Sequence, residues 1–226
     1  MSIIWTSPLS DHKRVIASNQ FALRVLGYLL WKQQWPITDL QQIDREARKI
    51  VVENVGRHPC GSNALLCLPR NNGGRGLRSV EMEYKATKVK GAVRLYCNED
   101  PAMKMVREFE ERAEKVGRRS MVKEAFRFAK ELGLELELEH PRSVKTEVQK
   151  CQDEKVGEEV RNQRWQGRLV TSRLQDEKVS AEGYFWWLTQ WKTCPTYTIA
   201  GIFELYRHSY LPGGGHGRWT LRCTRS

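Results

Sequence analysis

Leu68-Pro69-Arg70-Asn71-Asn72-Gly73-Gly74-Arg75-Gly76-Leu77 is the densest break in an otherwise helical chain of 226 residues. Its reading decides how the flanking helices are joined. Leu65, Leu66, Cys67 and Leu68 lead into it as a short apolar run of strand type, and Ser79 starts a helix directly after it. Gly73, Gly74 and Gly76 tolerate positive φ, which lets consecutive backbone N–H groups turn inward. Such a concavity suits an anion, and Arg70, Arg75 and Arg78 add positive charge around it. A tight, solvent-facing turn is the other reading, because glycine-rich segments are commonly turns and nothing more.

Outward from this loop the sequence reads as helices. Residues 12–33 are dense in apolar positions (Ile16, Phe21, Leu23, Val25, Leu26, Leu29, Leu30), as in a buried helix, and Trp35-Pro36 ends it. Thr38 can cap the next helix, with Gln41 three residues on. Leu40, Ile43, Ala47, Ile50 and Val51 then form its apolar stripe, with Arg45, Arg48 and Lys49 on other faces. After the loop, the helix from Ser79 places Val80, Tyr84 and Leu95 inward and Lys85, Lys88 and Arg94 outward. Asp100-Pro101 is a strong helix start, and Met103, Val106, Phe109 and Ala113 give that helix its inner face. Ser120 begins another helix, with Met121, Ala125, Phe128 and Leu132 inward. Residues 134–139 alternate leucine and glutamate, the pattern of a strand, for which 65–68 is the available partner. A long polar helix follows over 143–177. Tyr184, Trp187, Leu188 and Trp191 fall at helical spacing and read as core rather than as a base-stacking platform.

The expected architecture is therefore mainly α, a helical bundle with a minor β element and a long polar connecting helix. It divides into a helical domain over 12–140, a polar connector over 141–180, an aromatic-rich helical segment over 181–210 and a disordered tail over 211–226.

Charge is distributed unevenly. The chain carries a net +11, with +7 in residues 45–94, +6 in 161–226, and −3 in 95–160 between them. Basic blocks of this kind attract phosphate backbones. The six cysteines include no C-x-x-C pair and read as reduced thiols, and no Cys/His cluster has zinc spacing. No apolar run approaches the length of a membrane span, and no leader peptide is visible. The expectation is an intracellular protein, cytoplasmic or nuclear, with no membrane partner, no cofactor and no metal. The glycine loop lacks the G-K-[ST] ending of a nucleotide P-loop, and no nucleophile–base pair stands out.

One ordered set of residues resembles a known family. Ala17, Asn19, Ala22, Val25, Tyr28 and Trp35, then Leu40, Asp44-Arg45, Arg48-Lys49 and His58-Pro59, then Leu68-Pro69-Arg70 and Gly73-Gly74-Arg75-Gly76-Leu77 resemble the region after the palm in non-LTR (LINE-like) retrotransposon reverse transcriptases. Trp165-Gln166-Gly167-Arg168, Phe185-x-Trp187-Leu188-x-x-Trp191-Lys192 and Thr198-Ile199-x-Gly201-Ile202-x-Glu204-Leu205-Tyr206 are similar to later parts of such elements. The likeness covers about residues 12–206 and departs after Tyr206.

In that family, catalysis depends on palm aspartates, including an adjacent Asp-Asp pair, that hold two metal ions. This chain's six aspartates include no adjacent pair. The resemblance thus implies a thumb-like, non-catalytic fragment that grips template–primer, RNA or RNA/DNA duplex, with a palm-bearing polymerase segment as a partner. Arg45, Arg48, Lys49, Arg70, Arg75 and Arg78, with Gly73, Gly74 and Gly76, are the expected nucleic-acid contacts. A helical protein–protein interaction module is the alternative.

Overall fold

The computed structural model describes residues 1–57, 61–136, 138, 144–162 and 180–208. Its helices are α1 (Ser2–Thr6), α2 (Asp11–Ala17), α3 (Leu23–Lys32), α4 (Ile37–Glu53), α5 (Asn63–Cys67), α6 (Val80–Cys97), α7 (Pro101–Lys115), α8 (Met121–Leu132), α9 (Val144–Asn162), α10 (Ala181–Tyr184), α11 (Trp186–Gln190) and α12 (Thr196–His208). The mainly α class holds.

The expected β element does not form: among the described residues there is no strand. Ser62 accepts from the Leu65 N–H and starts α5, so the apolar run at 65–68 lies in a helix and the residue that ends it. Leu134 and Leu136 pack against the core while Glu135 faces solvent. Over 134–136 the alternation reflects an extended segment lying on a helical core, which half-buries the two leucines without a partner strand, and residues 137 and 139 lie outside the described residues.

α6 is the central element. It packs against α3, α4, α7, α8 and α9, and Val80, Tyr84, Ala86, Val89, Ala92 and Val93 are buried on several of its faces. With Leu23 and Leu30 of α3, Leu40 of α4, Phe128 and Leu132 of α8 and Val148 of α9 it builds the main core. Lys88, expected outside, is buried. Its ammonium donates to the carbonyls of Trp31 (3.2 Å) and Gln33 (3.1 Å), where α3 ends. A cation there interacts favourably with the negative helix terminus.

Two further corrections concern faces. Residues 11–32 are helical, but a π turn at Ser18–Ala22 divides α2 from α3. Phe21, Val25 and Tyr28 stand exposed at 66%, 74% and 64%, so this helix is only half buried. α7 buries no residue fully, and Phe109 is 72% exposed. The inner face expected on α7 is therefore an outer one.

The C-terminal helices join the rest through a second core, in which Phe185, Leu188 and Ile199 pack with Ala64, Leu68 and Val160. Of the stripe read as core, Leu188 is buried and Tyr184 and Trp187 pack half-buried against this core, whereas Trp191 is 43% exposed; Phe185, outside the stripe, is buried as well. α9 runs unbroken through Gly157, and the remainder of the connector, with Trp165 and Leu169, lies outside the described residues, as does the tail 211–226. A third core gathers Trp5, Val15, Val51, Leu66 and Leu77 around the N-terminal helices.

Candidate nucleic-acid interface

The loop after α5 is built by its own backbone. The N–H groups of Gly73, Gly74, Arg75, Gly76 and Leu77 donate to the carbonyls of Arg70, Pro69, Leu65, Leu68 and Leu66, at 2.8 to 3.1 Å. The expected concavity of free N–H groups is thus absent: each of these donors already has a protein acceptor. Gly73 (φ +86°) and Gly76 (φ +79°) take the left-handed conformation, and a Cβ on Gly73 would meet the Phe185 ring at 2.6 Å. Gly74 has an ordinary negative-side φ and lies against the Leu68 backbone.

Arg70 and Arg75 also turn inward. Both pair with Asp11, whose side chain is fully buried, one arginine on each carboxylate oxygen. Arg75 is only 4% exposed and lies over the Trp5 ring, 5.9 Å from its centroid. Arg70 donates in addition to the Leu188 carbonyl (2.8 Å). Burial lowers the Arg75 guanidinium to about 9 and that of Arg70 to about 10. At neutral pH both remain charged and need the carboxylate. His12 is held below its ordinary value of 6.5, by burial first and then by the Arg70 and Lys192 charges. These arginines are placed as structural ties from the loop to α2 and α11, and not as surface contacts.

Arg45, Arg48 and Arg78 are placed differently. They line one open cleft, with a volume of about 710 Å³, between α4, α5, the end of the loop, α6 and α9. Arg45 is exposed and held by Gln42 (Nε to Oε1, 3.0 Å). Lys49 lies one turn along α4, outside the cleft lining, paired with Glu46 at 2.8 Å. The Arg78 side chain is 50% exposed, with Glu83 at 3.6 Å. Its backbone is pinned by Asn19, which accepts from the Arg78 N–H (3.0 Å) and donates to the Gly76 carbonyl (2.8 Å).

The opposite walls are acidic on balance, with Glu81 and Glu83 against Lys85 on α6 and Asp153, Glu158 and Glu159 against Lys155 on α9. Burial raises the Asp153 carboxyl, against the hydrogen bond it receives from Gln149 (3.0 Å). A polyanion is therefore attracted to the α4 rim and repelled from the interior. The Cys67 thiol on this cleft is pushed up to about 12 by burial, which makes it inert as a nucleophile.

Sequence reasoning missed two residues that organise the site. Asp44 accepts from Ser79 Oγ (2.6 Å) and from the N–H groups of Val80 (2.8 Å) and Glu81 (3.2 Å), so α4 supplies a carboxylate to the start of α6. Asp11 was hidden because a carboxylate at the first position of a helix looks like an ordinary first-turn acid, and only the fold brings it 59 residues along the chain to Arg70.

Among the described residues no His, Cys, Asp or Glu group has the arrangement to hold a metal ion, and no helix is long and apolar enough to cross a membrane. Compared with protein-family models, curated proteins and solved structures, the chain matches none.

Proposed function

We propose that this protein binds the phosphate backbone of RNA or of an RNA/DNA duplex without reading its sequence and without catalysis of its own. It would act as the thumb-like segment of a non-LTR reverse transcriptase acts beside a palm-bearing segment. The observation that carries this reading is the convergence of Arg45 and Arg48 from α4 with Arg78, from a point 30 residues further on, at one rim of an open cleft. Lys49 extends the row. Three of the six aspartates support the non-catalytic part, because each is already committed: Asp11 to Arg70 and Arg75, Asp44 to the start of α6, and Asp100 to the Ala102 N–H at the start of α7.

Filter binding to an RNA/DNA primer–template across a salt series tests the proposal. Four phosphate contacts predict a slope of log K against log salt of about −3 to −4. Arg45→Ala, Arg48→Ala and Arg78→Ala together should flatten that slope by about 2 to 3. Salt-insensitive binding, or no binding at low salt, would sink it. The second reading, a helical module for protein contact, is favoured by the exposed apolar side chains of α7, Met105 at 68% and Phe109 at 72%. It predicts association that survives the triple arginine substitution and high salt.

A further inference from the structure

A second cationic cavity lies away from the α4 rim. The turn between α3 and α4 and the turn between α7 and α8 border an open cleft with a volume of about 700 Å³, lined among others by Trp35, Pro36, Arg118, Arg119, Lys123 and Arg127. It shares no lining residue with the arginine cleft. Four cations stand there against one carboxylate, Glu124.

The four charges are poorly neutralised by the protein itself. Arg127 reaches Glu131 only at 3.9 Å, and Arg119 touches a neutral group, Gln34 Oε1, at 3.5 Å. Among the described residues Arg118 and Lys123 make no ion pair, and all four side chains are exposed. Trp35 Nε1 and Glu124 Oε2, on residues that line the same cavity, are buried without a hydrogen-bond partner.

Helix electrostatics make the clustering more telling. Arg118 follows α7, where a cation is favourable, and its N–H closes that helix on Ala113 (2.8 Å). Arg119 and Lys123, by contrast, flank the start of α8, the positive end of a 12-residue helix, where cations are disfavoured. Glu124 in the first turn and Glu110 on the Met121 N–H offset part of this cost, yet the cations of the cleft outnumber them, and residues placed against a local rule mark functional sites. The backbone donors at this helix start are already occupied. Ser120 Oγ takes the Val122 and Lys123 N–H groups, and Glu110 takes that of Met121 (2.8 Å). A ligand must therefore be held by the side chains.

We propose that this cavity binds a nucleotide through its phosphate. The guanidinium forks of Arg118, Arg119 and Arg127 match phosphate oxygens, Lys123 adds a point charge, and Trp35 with Pro36 offers apolar surface for the base. The volume suits a nucleotide-sized body better than a lone inorganic ion. The phosphate can belong to a free nucleotide or to a terminal nucleotide of a strand. The inference stands independently of backbone binding on α4.

Adenosine 5′-diphosphate titrated calorimetrically at about 0.15 M salt, where loose surface attraction is screened, is the first probe. Saturable binding is expected. It should weaken about tenfold or more in Arg118→Ala/Arg119→Ala/Lys123→Ala, and stay unchanged in Arg45→Ala/Arg48→Ala/Arg78→Ala. Competition in the latter background locates the phosphate. Displacement by a 5′-phosphorylated duplex but not by its 5′-hydroxyl counterpart assigns it to a strand end, and displacement by neither assigns it to a free nucleotide. The replaced side chains are exposed, so the fold should persist; if the triple variant fails to fold, Lys123→Ala alone should still weaken binding. No saturable binding of the diphosphate or of the phosphorylated duplex would overturn the proposal, as would equal affinity in wild type and variant.

Discussion

Asp11 ties the loop arginines to α2. Its carboxylate is the common partner of two arginines that are themselves buried, so removing it leaves two uncompensated guanidinium groups inside the protein. Asp11→Ala should cost about 3 to 5 kcal/mol, read as a lower urea midpoint. Lys49→Ala, at an exposed pair, should stay within about 0.5 kcal/mol of wild type. The loop glycines separate two effects. Gly76→Ala meets open space and suffers only the left-handed backbone cost of about 1 to 2 kcal/mol. Gly73→Ala adds a collision with Phe185, and should be worse by about another 1 to 3 kcal/mol. Equal losses at the two positions would contradict this packing. Beside Asp11, His12 has a folded-state pKa below its unfolded value of 6.5. As pH falls, the unfolded chain takes up this proton first, so the stability present above 6.5 is lost as pH drops through the folded value. His12→Asn should therefore flatten the change in urea midpoint between pH 7.5 and 5.5.

At the level of elements, helix starts were the most legible feature of the sequence, because their signals are local. Ser79, Asp100 and Ser120 each cap the helix expected of them, accepting from Met82, Ala102 and Val122 N–H groups. Thr38 does not cap: α4 begins two residues earlier than a Thr38 cap requires, after Pro36, and the Thr38 hydroxyl turns to Asp39. Which face a helix buries was less legible, since that depends on neighbours distant in sequence. α6 has apolar residues on several sides because five helices surround it, whereas α7 has an apolar stripe that its neighbours leave uncovered. The candidate site followed the same division. The basic character of 45–94 was visible in composition. The inward turn of Arg70 and Arg75 was not, because it depends on Asp11, and glycine content alone cannot show that the loop's N–H groups already have acceptors. The start of α6 is where this level is most testable. Asp44→Ala strands three donors at once, two of them backbone N–H groups, and should cost about 2 to 4 kcal/mol. Ser120→Ala removes a single cap and should cost about 1 kcal/mol. Thermal unfolding of the two variants ranks them, and a cap loss at α8 equal to that at α6 would sink the account of Asp44.

Across the whole molecule, the chain closes on itself through the loop that first looked like a surface turn. Ser10 Oγ donates to the Lys192 carbonyl (2.5 Å), the Asp11 N–H donates to the Cys194 carbonyl (3.1 Å), and Arg70 donates to the Leu188 carbonyl (2.8 Å). The aromatic-rich helices α10 to α12 and the turns between them thus bond to the start of α2 and bury Phe185, Leu188 and Ile199 against α5 and α9. Three side chains of this size, taken out of water, contribute about 2 kcal/mol each. Their sum of about 6 kcal/mol is comparable with the entire net stability of an ordinary domain. Deleting residues 181–226 should therefore not leave an intact helical domain with a segment missing. It should expose Leu68 and Ala64, loosen the Asp11 cluster, and lower the melting temperature by well over about 10 °C or abolish the cooperative transition. Hydrogen exchange should show the loss of protection spreading to α2 and α5, while α8, which packs in the other core, keeps more of its own. A truncated chain that melts as the full one does, with α2 still protected, would show that the C-terminal helices are an appendage and that the loop arginines hold the N-terminal half together without them.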